Sequence, residues 1–296
     1  MSPHRLAYTI ADVTFVLETP DLIRVLPSFQ PFLTETGHVR YTARFRLTGA
    51  LPALSAAPLE AAPEYQAVPD GKGGFLRRYR DPRRDNAPYA ITTWDFSRRR
   101  IDVALLPWGQ EFIGETGNSL FHLGLETVLL HEDRIILHAA CLNTPYGGLL
   151  FSGPSGVGKS TQAALWETHT GARQINGDRP VLAKGGDGWR AYGSPYAGSS
   201  RCHINESCPV RAVILLRQAP ENTLCRLKPA KAFSGVFQGV TVNAWNPADV
   251  CQAAELTEAL IRDVPVYVLS CRPDDGAVEI LRRELEVNAR GPSSGK

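Results

Sequence analysis

The stretch Gly153-Pro-Ser-Gly-Val-Gly-Lys-Ser-Thr161 constrains this chain more than any other. It satisfies G-x-x-x-x-G-K-[ST], the pattern of a phosphate-binding P-loop. Apolar Gly148-Leu149-Leu150-Phe151 precedes it and a helical pattern, Gln162-Ala163-Ala164-Leu165-Trp166, follows. That order of strand, loop and helix separates a working loop from a chance match. Closely spaced glycines let backbone N–H groups converge on phosphate oxygens at the positive end of the next helix. The expected nucleotide-binding residues are Gly153, Pro154, Ser155, Gly156, Val157, Gly158, Lys159, Ser160 and Thr161. Lys159 would reach the β- and γ-phosphates, and the Ser160 hydroxyl would hold Mg²⁺. The competing reading, a glycine-rich turn that binds nothing, fits this context poorly. The motif predicts a nucleoside-triphosphate site.

The rest of the composition narrows the setting. With 296 residues, 43% hydrophobic and 21% charged, the chain has enough apolar content for one large domain or two. Its 32 basic and 30 acidic residues leave a net charge of +2, so no global field favours nucleic acid or an anionic membrane. Apolar runs such as Val103–Trp108 are strand-sized, far short of a membrane span. Met1–Ile10 lacks the zones of a secretory leader, and a cytoplasmic location is expected. The six cysteines form no Cys-x-x-Cys pair, and Cys202-His203 with Cys208 fits no standard zinc spacing. They read as reduced, mostly buried thiols.

Patterning divides the chain. Residues 1–115 read as a β-rich domain, with strands at Tyr8–Leu17, Tyr41–Leu47, Phe75–Arg80, Tyr89–Phe96 and Ile101–Leu106. Pro52 to Pro69 reads as an extended connection, and Thr116 to Glu132 as one helix. Residues 116–290 read as α/β. Strands are expected at Ile135–Leu142, Gly148–Phe151, Ala172–Ile175, Pro180–Ala183, Arg190–Tyr192, Ala212–Leu216 and Val264–Leu269, among helices near Ala230–Gln238, Pro247–Arg262 and Asp275–Val287. The tail 291–296 is expected to be disordered.

Three segments in order, His138-Ala-Ala-Cys-Leu, the loop with its preceding strand, and Asn176-Gly-Asp-Arg179, resemble the HPr kinase/phosphorylase family over roughly residues 130–290. The resemblance implies an α/β P-loop kinase core of the phosphoenolpyruvate-carboxykinase-like type, a mixed sheet with flanking helices, here preceded by a mostly β domain. It implies ATP and Mg²⁺ as cofactors and a hydroxyl acceptor on a protein, peptide or small molecule, and it allows a homo-oligomer. It also implies a histidine on the strand ahead of the loop and a pair of aspartates after the loop helix. The chain departs from the family at that pair, where Gly177 and Asp178 stand, and it lacks the signature for the reverse, dephosphorylating reaction.

These correspondences give catalytic candidates His138, Lys159, Asp178 and Arg201, and metal candidates Ser160 and Asp178. His138 could take the place of the missing carboxylate as general base, or only hold its hairpin. Asp178 could coordinate Mg²⁺ or cap its turn. Arg179 could pair with phosphate or only with Asp178. Gly193–Arg201 could fold over phosphates with Arg201 or His203 neutralising charge, or be a plain surface loop. Asn222 resembles an asparagine that contacts nucleotide or anchors a loop. Arg77, Arg78, Arg80, Arg83 and Arg84 with Arg98, Arg99 and Arg100 could receive an acidic partner. Without aromatic platforms they read as hairpin rims facing water rather than a nucleic-acid surface. The favoured function is an ATP-dependent kinase acting on a hydroxyl, serine or threonine first; the alternative is a nucleotide-binding regulatory module or slow ATPase.

Overall fold

In the computed structural model, residues 3–289 are described, apart from Thr36 and Ala197. The expected disordered tail lies outside the described residues. The chain is mixed α/β and divides into two compact units, one of Met1–Leu129 with Asn243–Val250, the other of Leu130–Val242 with Cys251–Lys296.

The first unit is built on eight strands: β1 (His4–Ile10), β2 (Val13–Thr19), β3 (Tyr41–Leu47), β4 (Leu59–Ala62), β5 (Tyr65–Pro69), β6 (Phe75–Asp81), β7 (Ala87–Asp95) and β8 (Arg100–Leu105). They form one mixed sheet in the order β1-β2-β3-β8-β7-β6-β5-β4. Three sequence expectations change here. The run Tyr8–Leu17 is a hairpin, because Ala11 and Asp12 both adopt positive φ and reverse the chain between β1 and β2. The connection Pro52–Pro69 contains β4 and β5, which pair with each other. The helix expected over Thr116–Glu132 breaks at Gly124, whose φ of +63° is a left-handed C-cap. It becomes α1 (Thr116–Leu123) and α2 (Leu125–His131), and α1, placed by the sequence reading with the second domain, falls in the first unit.

Arg77 does not face water as the sequence reading had it; it is 1% exposed. Its guanidinium is paired with Glu126, donates to Asn243 Oδ1 at 2.9 Å, and lies 4.5 Å from the centre of the Tyr65 ring and 5.6 Å from that of Trp94. Its neighbours on the rims are also engaged within the unit: Arg80 with Glu60, Arg83 with Asp81, and Arg84 with Asp81 and Glu111.

The second unit carries β9 (Arg134–Ile136), β10 (Ala139–Thr144), β11 (Gly147–Ser152), β12 (Arg173–Asn176), β13 (Val181–Gly185), β14 (Gly188–Tyr192), β15 (Ser207–Gln218), β16 (Thr223–Arg226) and β17 (Val266–Cys271). Strand β15 is the organiser. Its first half pairs antiparallel with β14, while its second half lies between parallel β11 and parallel β17. Alternate residues of these strands feed two cores. Cys141, Leu150 and Val213 meet Ala232, Val236, Ala253 and Leu260 on one face. Leu142, Leu149, Phe151 and Ile214 meet Ala163, Trp166, Leu281 and Leu285 on the other. The first face is covered by α4 (Pro229–Phe237) and the second-unit part of α5 (Pro247–Asp263), the second by α3 (Lys159–Thr170) and α6 (Asp275–Ala289). Both faces being buried explains why β11, β15 and β17 read as continuous apolar runs.

The strand expected over Ile135–Leu142 is interrupted. Leu137 donates to Pro180 O and His138 to Gly239 O, so the chain changes pairing partners there, from β13 on the β9 side to β11 and β12 on the β10 side. His138 sits at the bend.

Removing one partner of a buried ion pair leaves the other desolvated and unpaired, which costs roughly 3–5 kcal/mol. Arg77→Ala is therefore expected to lower the stability of the first unit by about that amount in urea unfolding followed by tryptophan fluorescence. A loss below about 1 kcal/mol, the value of an exposed pair, would contradict the burial described.

Candidate functional site

The Gly153–Gly158 loop runs from the end of β11 to the first residue of α3. Gly153, Gly156 and Gly158 have φ of +147°, +78° and +114°, conformations that side-chain-bearing residues rarely adopt. At Gly156 and Gly158 a Cβ would meet nothing within 4 Å, so backbone shape, not crowding, demands glycine there. Gly158 is the N-cap of α3 and offers no side-chain cap. The first amides of the helix therefore have neither an intrahelical acceptor nor a capping oxygen. That end of a helix carries partial positive charge and suits an anion. Lys159 Nζ donates to the carbonyls of Gly153 at 2.9 Å and Pro154 at 3.1 Å, folding its charge back across the loop. Gln218, at the end of β15, donates to Gly156 O at 3.2 Å and braces the loop from the neighbouring strand. Ser160 and Thr161 are exposed on the first turn.

Beside the loop stands a histidine–carboxylate pair. His138 Nε2 lies 3.2 Å from Asp178 Oδ1, each side chain about a third exposed. Arg179 Nε approaches Asp178 Oδ2 at 3.6 Å, and its Nη1 donates to Thr241 Oγ1 at 2.7 Å. Burial pushes the His138 pKa below its usual value; the charges of Lys159 and Arg179 act in the same direction, and Asp178 opposes them. Burial likewise lowers Lys159, with Asp178 again opposing. His138, Lys159 and Asp178 are thus close enough to feel one another's charge, and burial favours the neutral form of the imidazole.

The turn that carries Asp178 is held from beneath by Asn176, which is fully buried. Its Oδ1 accepts from the amides of Asp178 at 3.0 Å and Arg179 at 2.7 Å. Its Nδ2 donates to Ser194 O and Tyr196 O, at 3.0 and 3.1 Å. Ser194 Oγ returns to Arg179 O at 2.6 Å. The segment after β14 is thereby tied to the acidic turn. Gly198 continues the contact: a Cβ there would lie 2.9 Å from both Cβ and Cγ of Asp178, so only glycine fits without a shift.

Of the residues singled out from sequence, the structure groups His138, Lys159 and Asp178 around the loop. Arg201 is exposed and makes no hydrogen bond or ion pair among the described residues, so nothing joins it to them. Asn222 accepts from the Arg272 amide at 2.9 Å and donates to Asp274 at 2.6 Å, anchoring the loop after β17. Asn176, Ser194, Thr241 and Gln218 were not given roles from sequence. An asparagine directly ahead of Gly177-Asp178 was the one available signal. Among the described residues no group of three His, Cys, Asp or Glu side chains could hold a metal, and no helix is long and apolar enough to cross a membrane. A cavity of about 560 Å³ lies along one side of the loop, lined by Gly153–Val157, Leu215–Gln218, Gly235, Gln238 and Val268.

No protein-family model and no curated protein matches the sequence. Among solved structures, the chain is similar to the HPr(Ser) kinase/phosphatase from Coxiella burnetii, with 15% identity and a TM-score of 0.33 over 53% of this chain and 99% of that one.

Because Asp178 raises and burial lowers the His138 pKa, removing the carboxylate takes away the opposing influence. His138 should titrate below the ordinary histidine value in the intact protein, and lower still in Asp178→Asn. NMR of the imidazole C–H signals measures both, and an unchanged or raised value in the variant would contradict the pairing. The sign for stability follows from the depressed value in the folded state. His138 favours folding above the unfolded pKa, and that contribution is lost as pH falls through the window below it.

Proposed function

We propose that the second unit is an ATP- and Mg²⁺-dependent kinase that transfers the γ-phosphate to a hydroxyl of a protein, peptide or small molecule, with serine or threonine as the first candidate. The observation that carries this reading is the convergence of an uncapped, glycine-shaped helix N-terminus, Lys159, and the His138–Asp178 pair on one place. A phosphate chain fits the loop: three positive-φ glycines turn amides inward, and no side chain competes for them. Mg²⁺ fits the donor set of Ser160 hydroxyl and Asp178 carboxylate, since this ion takes one or two protein oxygens and completes its shell with water and phosphate. Bound there, Mg²⁺ and the nucleotide supply the activated phosphoryl group and neutralise its charge.

The chain's own residues do the rest. Lys159 is already aimed across the loop and partly desolvated, so its charge acts more strongly on phosphate oxygens than at an open surface. Asp178 accepts from His138 Nε2–H, which leaves Nδ1 with the free lone pair. A neutral imidazole in that tautomer can take the proton of the acceptor hydroxyl at Nδ1. Arg179, held by Thr241, keeps a second positive charge beside the carboxylate.

A second reading, a nucleotide-binding regulatory module without transfer, is favoured by Gly177, which leaves a single carboxylate in the Asn176–Arg179 turn. Calorimetry and label transfer separate the two. With Mg-ATP, Lys159→Ala should weaken binding by at least about tenfold, the equivalent of one charge-assisted hydrogen bond. His138→Gln should keep the nucleotide affinity but slow transfer of label from the γ-position by roughly 10²–10⁴-fold. Gly177→Asp should raise transfer if the protein is a weakened kinase and leave a pure binding module inert. Transfer that is indifferent to both Lys159→Ala and His138→Gln would sink the kinase reading.

A further inference from the structure

A second cavity, of about 300 Å³, opens beside the first turn of α3, with Thr161, Gln162, Gln218, Cys271, Arg272 and Pro273 in its wall. Its volume is at the small end of ligand pockets, enough for one planar ring system rather than a whole nucleotide. Gln162 is 2% exposed. Its Nε2 donates to Cys271 Sγ at 3.4 Å, while its Oε1 is buried and has no hydrogen-bond partner. A buried acceptor without a donor is uncommon and asks for an explanation. Here both the amide and the sulfur that holds it line the same cavity, so a donor arriving there would complete the set.

Arg272, next to Cys271 in the wall, is held as well. Arg272 pairs with Asp274 at 2.9 Å, and its backbone amide donates to Asn222 Oδ1. A planar guanidinium held in this way is a stacking surface for an aromatic ring. The cavity's place along the loop also matters. Lys159, His138 and Asp178, which mark the terminal-phosphate end in the proposed function, are not in its wall, whereas Gly158 and Thr161, at the inner-phosphate end, are.

We propose that this cavity is the base subsite of the nucleotide and that Gln162 Oε1 accepts a hydrogen bond from the exocyclic 6-amino group of adenine, selecting adenine over 6-oxopurines. This inference rests on the nucleotide-binding reading above. A 6-oxopurine sets a carbonyl oxygen against Gln162 Oε1, where two acceptors face each other. With Nε2 donating to Cys271 Sγ, Oε1 is the end of the amide left for a ligand.

Calorimetry with Mg-ATP and Mg-ITP, which differ at the purine 6-position by amine against carbonyl, tests this without an acceptor substrate. The intact protein should bind ITP roughly 10- to 100-fold more weakly than ATP, the range of one buried hydrogen bond gained or lost. In Gln162→Leu the two affinities should converge to within about threefold, the ATP affinity falling towards that of ITP. Cys271→Ala, which frees the amide to turn, should also narrow the ratio. That variant and the intact protein's own ratio decide the matter if Gln162→Leu fails to fold by circular dichroism. Equal binding of ATP and ITP by the intact protein, or a ratio preserved in Gln162→Leu, overturns the base subsite and leaves the nucleotide reading standing. Absence of binding by either nucleotide overturns both.

Discussion

One buried amide, that of Asn176, holds the candidate site in shape. Its oxygen receives two consecutive backbone N–H groups, which forces the chain to turn at Gly177 and presents Asp178 to His138. Its nitrogen reaches two carbonyls of the segment after β14. Buried polar groups with both ends satisfied rigidify their surroundings, and partly satisfied ones are costly, so this residue tolerates little change. The carboxylate's position, the fit of Gly198 against it and the approach of Arg179 all follow from that anchoring.

The other half of the site is set by backbone conformation. Three glycines hold dihedrals that other residues resist, and the helix they open begins without a cap. The cationic side chain that follows is held against loop carbonyls instead of a carboxylate. Burial depresses the basicity of both Lys159 and His138. In such surroundings charge interactions are stronger than at an open surface. One carboxylate beside two cations, Lys159 and Arg179, leaves a local excess of positive charge, the sign a phosphate chain requires.

The loop, α3 and the apolar strands β11, β15 and β17 were legible in the sequence because their signals are local: a motif, a 3.6-residue period, runs of branched apolar residues. What was not legible depended on partners distant in the chain. Nothing near His138 announces a break, since the interruption comes from Pro180 and Gly239 claiming successive amides. The Ala11–Asp12 turn has no glycine to mark it, and so two strands read as one. Arg77 looked like its exposed neighbours because the acid and aromatic rings that bury it, Glu126, Trp94 and Trp245, lie elsewhere in the sequence. Of the candidate site residues, His138, Lys159 and Asp178 were named from motif order, and they lie together in the structure. Arg201 was named from its place in the glycine- and serine-rich segment after the acidic turn, and no side-chain contact among the described residues joins it to the others.

Residues 243–250 return to the first unit although both flanking stretches belong to the second. They bring Asn243, which binds the Arg77 guanidinium, and Trp245, whose ring lies 5.2 Å from that of Phe75. No single cut in the polypeptide therefore releases either unit whole. A recombinant N-terminal fragment ending near residue 129 would be missing part of its own interior, and the complementary fragment would display an indole with no home. Dissection of this protein into separately expressed halves calls for grafting that octapeptide onto the first, or for a circularly permuted gene.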